Sequence, residues 1–115
     1  MGFRYSIRIC GKALITREYN GHAFTFRDDG YFNMTAAAKH YGKRLDNFWR
    51  LTETKEYLGA MGSSLGCEGL VQARRGGAQH LIGTWAHPKL AVFFARWLDV
   101  RFAVWCDLTL DEILR

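Results

Sequence analysis

The dipeptide Asn20-Gly21 restricts the fold of this chain more than any other feature of its sequence. It is typical of a two-residue hairpin turn with left-handed backbone, and it separates two β-prone runs, residues 14–19 and 22–26. Before these runs, residues 3–10 alternate apolar and polar side chains with the two-residue period of a half-buried strand. A second turn leads into a short strand at Tyr31-Phe32. The first third of the chain therefore predicts a small antiparallel meander.

From Asn33 onward the apolar residues follow helical spacing. Thr35 can cap a first helix over residues 36–41, and Gly42 is placed to end that helix in the left-handed conformation. Asp46 can cap a second helix. Two helices joined by a short basic turn predict a helix-turn-helix-like unit. The residues expected to share the buried face of the second helix are Leu45, Phe48, Trp49 and Thr52.

The middle of the chain predicts a loop followed by a second hairpin. The glycine- and serine-rich residues 62–68 are expected to end a helical continuation and to form the most mobile loop. Residues 70–74 and 78–85 are β-prone and flank Arg75-Gly76-Gly77. We therefore expect a hairpin that has arginines and two glycines at its tip.

Two more helices complete the predicted fold. Pro88 fits the first position of a helix, with His87 as its structural cap, and Asp99 can cap the last helix. The expected fold class is α+β. It comprises small antiparallel N-terminal strands, a helix-turn-helix-like pair, a β-hairpin wing and two C-terminal helices. We expect a single, winged-helix-like domain over residues 1–115.

The distribution of charge is typical of a protein with an anionic partner. The chain has 16 Lys and Arg against 11 Asp and Glu, which gives a formal net charge of +5. Residues 1–17 and 39–55 are rich in bases, whereas the residues from Asp107 onward carry three acids against one base. Such a polarised surface favours a polyanion as the partner.

Several classes of protein are disfavoured by the sequence. No window approaches about 18 uninterrupted apolar residues, and the first residues alternate apolar and polar side chains. We therefore expect neither a membrane span nor a secretory signal. The 3 cysteines favour free thiols in a reducing cytoplasm over a disulfide framework. Because the sequence has neither Cys-x-x-Cys nor His-x-x-x-His, we expect no metal site.

The start of the second helix is the first candidate site for nucleic acid. Lys43 and Arg44 precede the helix and can contact phosphates. Asn47 and Arg50 share its outer face, from which they can reach base edges in a major groove. The same pattern also fits an ordinary solvated amphipathic helix, and the residues alone leave that alternative open.

The tip of the second hairpin is the other candidate site. Glycines let a backbone approach a phosphate closely, and arginines at a hairpin tip can enter a minor groove. An ordinary turn that needs positive φ and carries basic residues for solubility is the alternative. The residues of this candidate site are Gln72, Arg74, Arg75, Gly76, Gly77 and Gln79.

Enzyme signatures are weak in this chain. Glu53-Thr54-Lys55 has the Glu-x-Lys spacing of some metal-dependent nucleases, but it falls in a helical stretch, whereas those nucleases place the motif on a strand. The sequence contains no phosphate-binding loop and no Gly-x-Ser-x-Gly. We therefore expect a protein that is not an enzyme and that takes no cofactor.

Two groups of motifs occur together in an order known from one family. The first group is Tyr31-Phe32-Asn33-Met34-Thr35-Ala36, Gly42-Lys43-Arg44 and Phe48-Trp49-Arg50. The second group is Gly83-Thr84-Trp85-Ala86-His87-Pro88, Leu90-Ala91, Ala95-Arg96-Trp97-Leu98 and Phe102-Ala103-Val104-Trp105. From about Gly30 to Leu114 the chain resembles the KilA-N domain family of phages and large DNA viruses. That family is similar in turn to the fungal APSES DNA-binding domain.

The resemblance implies DNA binding without catalysis, by a helix pair and a β-hairpin wing. The family's basic turn falls on Gly42-Lys43-Arg44, its following helix on Asn47 and Arg50, and its wing on residues 72–80. We expect a module that binds double-stranded DNA in a phage or prophage regulatory protein. A protein-interaction module of the antirepressor type is the alternative, and a metal-dependent nuclease comes last. The sequence leaves open whether the protein forms a homodimer and whether a longer protein carries a further C-terminal domain.

Overall fold

The structure is a computed structural model that describes residues 5–9, 12–65, 70–74 and 83–115. These residues form six strands and five helices and confirm the α+β class. In chain order the elements are β1 (Tyr5–Ile9), β2 (Lys12–Tyr19), β3 (His22–Arg27), β4 (Phe32–Asn33), α1 (Met34–His40), α2 (Leu45–Arg50), α3 (Thr52–Leu65), β5 (Val71–Arg74), β6 (Gly83–Ala86), α4 (Pro88–Leu98) and α5 (Val100–Leu114).

All six strands belong to one sheet, in the order β1-β2-β3-β4-β6-β5, and every neighbouring pair is antiparallel. The turn between β2 and β3 is the predicted one. Asn20 and Gly21 have φ of 51° and 82°, which are the positive values that a two-residue type I′ turn requires. Tyr19 pairs with His22 across this turn. The predicted N-terminal meander is therefore confirmed for the residues that the structure describes.

Strand β4 joins the meander to the second hairpin. Phe32 pairs with Ala86 and Asn33 pairs with Trp85, so β6 lies between β4 and β5. The backbone N–H of Thr84 also donates to Oγ1 of Thr35, at 2.9 Å. The N-terminal meander and the second hairpin, which are far apart in the sequence, thus form one continuous sheet.

The first helix begins two residues before its predicted start at residue 36. Its N-cap is Asn33, whose Oδ1 accepts a hydrogen bond from the N–H of Ala36 at 3.1 Å, and the helix starts at Met34. Thr35 is therefore wrong as the cap, because its hydroxyl is bound to Thr84 on β6. Asn33 combines two roles, since it ends β4 and starts α1.

The next two helices correct the prediction in two further places. Asp46 does not cap α2, whose N-cap is Arg44 without a side-chain hydrogen bond to the helix. Helix α3 contains Gly59 and Gly62 and still continues to Leu65, because isolated glycines lower helix stability without ending the helix. The remainder of the predicted loop, residues 66–68, lies outside the described residues.

The last two helices begin as predicted. Pro88 is the first residue of α4, and Nδ1 of His87 accepts a hydrogen bond from the N–H of Lys89 at 3.1 Å. Oδ1 of Asp99 accepts hydrogen bonds from the N–H groups of Arg101 and Phe102 at 2.8 and 3.2 Å. The single residue Asp99 thus ends α4 and begins α5, so the two helices pack as neighbours.

The core lies between the sheet and helices α4 and α5. Aromatic side chains from both layers meet there, for example Phe24 and Phe102, with ring centroids 4.7 Å apart. Trp85 is 1% exposed, as expected for a core position, whereas Trp97 and Trp105 are half-buried at its border. Cys106 is a buried free thiol, and Cys10 and Cys67 lie outside the described residues. Among the described residues, the other large apolar side chains that are fully buried are Phe26, Phe32, Phe48, Phe94, Leu14, Met34 and Leu90.

Gly30 is a position where only glycine fits. Its φ is +89°, and an added Cβ would lie 2.7 Å from Cγ of Pro88 and 3.1 Å from Cδ2 of Leu114. We expect Gly30→Ala to lower the free energy of unfolding by about 1–3 kcal/mol, measured by urea denaturation. Gly59→Ala is the matched control, because Gly59 is helical with open space around it, and it should raise stability by about 0.5–1 kcal/mol. Equal effects of the two changes would contradict this account.

The cap of α4 should make stability depend on pH. Burial lowers the pKa of His87 below its ordinary value of 6.5, and the positive charge of Lys89 adds to the shift. The folded chain therefore binds fewer protons than the unfolded chain near this pH, so stability should fall as the pH drops from about 7.5 to about 5.5. His87→Asn keeps a capping oxygen without a titrating group. Urea denaturation should show a smaller loss for this variant. The variant should still lose the stability that depends on His22, because burial lowers the pKa of His22 as well. The same loss in both proteins would contradict the assignment.

Candidate nucleic-acid interface

The connection between α1 and α2 is a tight turn at Gly42. This residue has φ of +68°, and its N–H donates to the carbonyl of Lys39 at 3.1 Å. The N–H of Lys43 donates to the carbonyl of Ala38 at 2.9 Å, which completes a typical glycine-dependent helix ending. Gly42 was predicted to end α1 in this way, and the geometry confirms it. Residues 41–44 are thus held in a fixed path between the two helices.

The side chain of Lys43 fastens this turn to α4. Its Nζ donates to the main-chain carbonyl of Trp97 at 2.8 Å and lies 4.8 Å from the centroid of the Trp97 ring. Trp97 is in the last turn of α4, where carbonyls lack helical partners and carry the negative end of the helix dipole. Lys43 therefore stabilises the position of the turn, although its side chain is exposed.

The buried face of α2 fixes the direction of its outer face. Phe48 is completely buried, and its ring lies 5.0 Å from that of Phe94 and 5.4 Å from that of Trp97, between centroids. Trp49 is half-buried beside it. Asn47 and Arg50 are exposed on the other side of the helix, as predicted. A single aromatic anchor thus orients both candidate side chains towards solvent.

Two arginines on this outer face share one carboxylate. Nη2 of Arg44 lies 3.1 Å from Oδ2 of Asp46, and Nη2 of Arg50 lies 3.9 Å from the same oxygen. Their side chains are 77% and 76% exposed. The hydrogen bond from Arg44 lowers the pKa of Asp46 below its ordinary value, so this carboxylate is charged at neutral pH. Asp46, predicted as a helix cap, instead offsets part of the positive charge of this surface.

The structure places Gln72 against a buried arginine. Oε1 of Gln72 accepts a hydrogen bond from Nη1 of Arg27 at 2.6 Å. Arg27 is 5% exposed, pairs with Asp29 through two hydrogen bonds, and lies 4.2 Å above the centroid of the Tyr31 ring. The acceptor atom of Gln72 therefore connects β5 to the turn after β3.

Only the base of the second hairpin falls within the described residues. Gln72 pairs with Trp85 and Arg74 pairs with Gly83, so an antiparallel hairpin is present. Arg74 is described by its backbone alone. The other predicted residues of this site, Arg75, Gly76, Gly77 and Gln79, lie outside the described residues.

Helix α1 connects the hairpin base to the basic turn. Its N-terminal end contacts β6 through Thr35 and Thr84, and its C-terminal end leads into Gly42. A helix of this length spans about 10 Å. The hairpin base and the basic turn therefore lie at the two ends of one short helix.

Three features bear on the classes that the sequence disfavours: the Glu-x-Lys pattern, groups of metal-ligating side chains, and long apolar helices. Glu53 and Lys55 are exposed on helix α3, so the Glu-x-Lys pattern is on a helix, as expected. No group of three or more His, Cys, Asp or Glu side chains in residues 5–9, 12–65, 70–74 and 83–115 is placed to hold a metal ion. Among the helices that the structure describes, none is both long and apolar enough to cross a bilayer.

Comparison with known proteins defines the class. The model of the KilA-N domain matches residues 15–115, which include most of β2 and all later elements. The chain is also 30% identical over 81 residues to the KilA-N domain-containing protein L4 of Acanthamoeba polyphaga mimivirus. That alignment covers 68% of this chain and 18% of the viral protein, so the chain spans a small part of this relative. No solved structure matches the chain.

This protein therefore belongs to the KilA-N domain family. The family is generally DNA-binding and is not a family of enzymes. The match extends further towards the N-terminus than the motifs of the resemblance, which begin near Gly30.

The contact between Gln72 and Arg27 predicts a structural role for Gln72. We expect Gln72→Ala to lower the free energy of unfolding by about 1–3 kcal/mol in urea denaturation, because it removes an acceptor from a buried guanidinium. Gln72→Glu is the matched control, since it keeps an acceptor beside Arg27 and should stay close to the original stability. Unchanged stability of Gln72→Ala would show that the hydrogen bond is dispensable.

Proposed function

We propose that this chain is a double-stranded DNA-binding domain of a phage or prophage regulatory protein. Helices α1 and α2 act as a helix-turn-helix-like unit, and the hairpin of β5 and β6 acts as a wing. The general DNA-binding character of the family supports this function. The single observation that carries it is the outer face of α2, where Arg44 and Arg50 are more than three-quarters exposed on either side of Asn47.

The side chains of α2 divide into two roles in this proposal. Arg44 precedes the helix and contacts a phosphate, which positions the domain without reading sequence. Asn47 and Arg50 project from one face of the helix and reach base edges, since an amide pairs well with adenine and a guanidinium with guanine. The buried Phe48 supports these contacts, because a helix that is anchored in the core keeps its outer side chains in register.

Lys43 and Gln72 act indirectly. The Nζ of Lys43 is bound to the end of α4. The side chain therefore fixes the position of the turn relative to α4 and does not extend into a groove of the DNA. Gln72 supports the hairpin through Arg27. In the wing, Arg74, Arg75 and Gln79 supply further contacts to the duplex, and Gly76 and Gly77 let the backbone come close to a phosphate.

Asp46 limits the affinity of this surface. Its carboxylate lies between two arginines that would otherwise face the phosphates with their full charge. A negative group at this position weakens non-specific attraction to any duplex, so a larger share of the affinity depends on the contacts of Asn47 and Arg50.

Binding of a random-sequence duplex at several salt concentrations tests the proposal. The proposed surface brings four arginines against the duplex: Arg44, Arg50, Arg74 and Arg75. If each of them displaces about one counterion, log K should fall with log salt at a slope of about −3.5. Arg44→Ala combined with Arg50→Ala should make the slope less negative by about 2 and weaken binding about tenfold or more. Asp46→Asn should strengthen binding, because it leaves both guanidinium charges unopposed.

The matched control removes two exposed positive charges from other helices. Lys89 and Arg101 lie on α4 and α5, and Lys89→Ala combined with Arg101→Ala should leave the slope unchanged. A fluorescently labelled duplex and a polarisation readout suit all four proteins. A flat salt dependence, or an equal loss in the control variant, would contradict the assignment of the surface of α2.

A further inference from the structure

Helix α5 presents an apolar stripe to solvent. Val100, Val104 and Leu108 follow one another at intervals of four residues, so they lie along one side of the helix. Their exposed fractions are 70%, 58% and 63%. The opposite side of α5 is filled by Phe102 and Cys106, which are completely buried in the core. Three adjacent large apolar side chains this exposed are typical of an interaction surface.

A groove runs beside this stripe, between α4 and α5. Its volume is about 280 Å³, and its apolar walls include Val92 and Ala103 together with the stripe itself. Arg96 from α4 and Asp107 from α5 border the groove. Across the described part of the chain, neither of these two charged side chains forms an ion pair.

We propose that a second copy of this chain occupies this face and forms a two-fold symmetric dimer. In that arrangement α5 packs antiparallel against α5 of the second copy, with Val104 at the symmetry axis. Val104 then meets its own counterpart, and Val100 meets Leu108 of the second copy, because residues equally far from the axis face each other. The apolar stripe is covered along its whole length.

The charges that border the groove favour a second copy of this chain over other binding partners. Arg96 is in the last turn of α4, close in sequence to the start of α5, whereas Asp107 is in the middle of α5, and both line the groove. Because the two α5 helices are antiparallel in the proposed dimer, Arg96 of each copy lies towards Asp107 of the other copy. Two pairs of opposite charge form between the copies. A nucleic acid would be repelled by Asp107 and by the exposed Glu112 on the same helix.

The dimer is expected to be weak. One helix pair and its flanking groove correspond to the small end of specific interfaces, below about 1,200 Å² of total buried surface. Interfaces of this kind have dissociation constants in the micromolar range or above, so the experiment must cover high concentrations.

Sedimentation equilibrium of the full chain, without DNA, tests the dimer from about 5 to about 500 µM. We expect the average mass to rise from monomer towards dimer over this range. Val104→Glu should keep the chain monomeric throughout, because it places two carboxylates at the symmetry axis. Ala60→Glu, at an exposed position of α3 outside the stripe, is the control and should dimerise as the original chain does. Circular dichroism verifies that both variants are folded. A monomer at every concentration, or a dimer that persists in Val104→Glu, would overturn the proposal.

A mixing experiment tests the orientation of the two copies. Arg96→Glu and Asp107→Arg each place like charges opposite one another, so each variant alone should dimerise about tenfold more weakly. An equimolar mixture of the two restores both unlike pairs between the copies and should dimerise as strongly as the original chain. A change confined to one molecule cannot produce this recovery. If the mixture dimerises no more strongly than either variant alone, the antiparallel arrangement is wrong. Both experiments are done without DNA, so their results do not depend on the proposed function.

Discussion

The pairing of β4 with β6 is the interaction on which the rest of the structure depends. It joins the N-terminal meander to the second hairpin in one sheet, and it fixes Asn33 at the edge where α1 begins. The hydrogen bond from Thr84 to Thr35 ties the first turn of α1 to the same strand. Every element of the candidate interface is therefore positioned, directly or through α1, by two short strands that come from distant parts of the sequence.

The surface of α2 follows from burial and not from the intrinsic stability of that helix. A six-residue helix with no capping side chain is marginal alone, so its stability comes from tertiary contacts. Phe48 supplies them within the aromatic cluster of α4, and Lys43 binds the carbonyl end of the same helix. The same packing that buries Phe48 turns Asn47 and Arg50 outward. The proposed recognition surface is thus held by α4, a helix that makes no contact with DNA in the proposal.

Local signals in the sequence predicted local structure well. The turn at Asn20-Gly21 and the caps at His87 and Asp99 each depend on residues within a few positions of one another, and the structure confirms them. The caps of α1 and α2 were assigned wrongly because Thr35 and Asp46 have partners that compete with the helix: a strand distant in sequence for Thr35 and two neighbouring guanidinium groups for Asp46. No local pattern could reveal the contact of Gln72 with Arg27, which are 45 positions apart. In the candidate site, Asn47 and Arg50 were predicted correctly as exposed, since helical spacing alone determines their side.

The central claim is that the outer face of α2 contacts DNA. Nuclear magnetic resonance of the isotope-labelled chain, titrated with a short duplex, tests this claim most directly because each backbone amide reports its own surroundings. The account predicts that the largest shift changes occur at the amides of residues 42–50, while those of the apolar side of α5 stay in place. Changes concentrated on α4 and α5, with the amides of α2 unmoved, would contradict it.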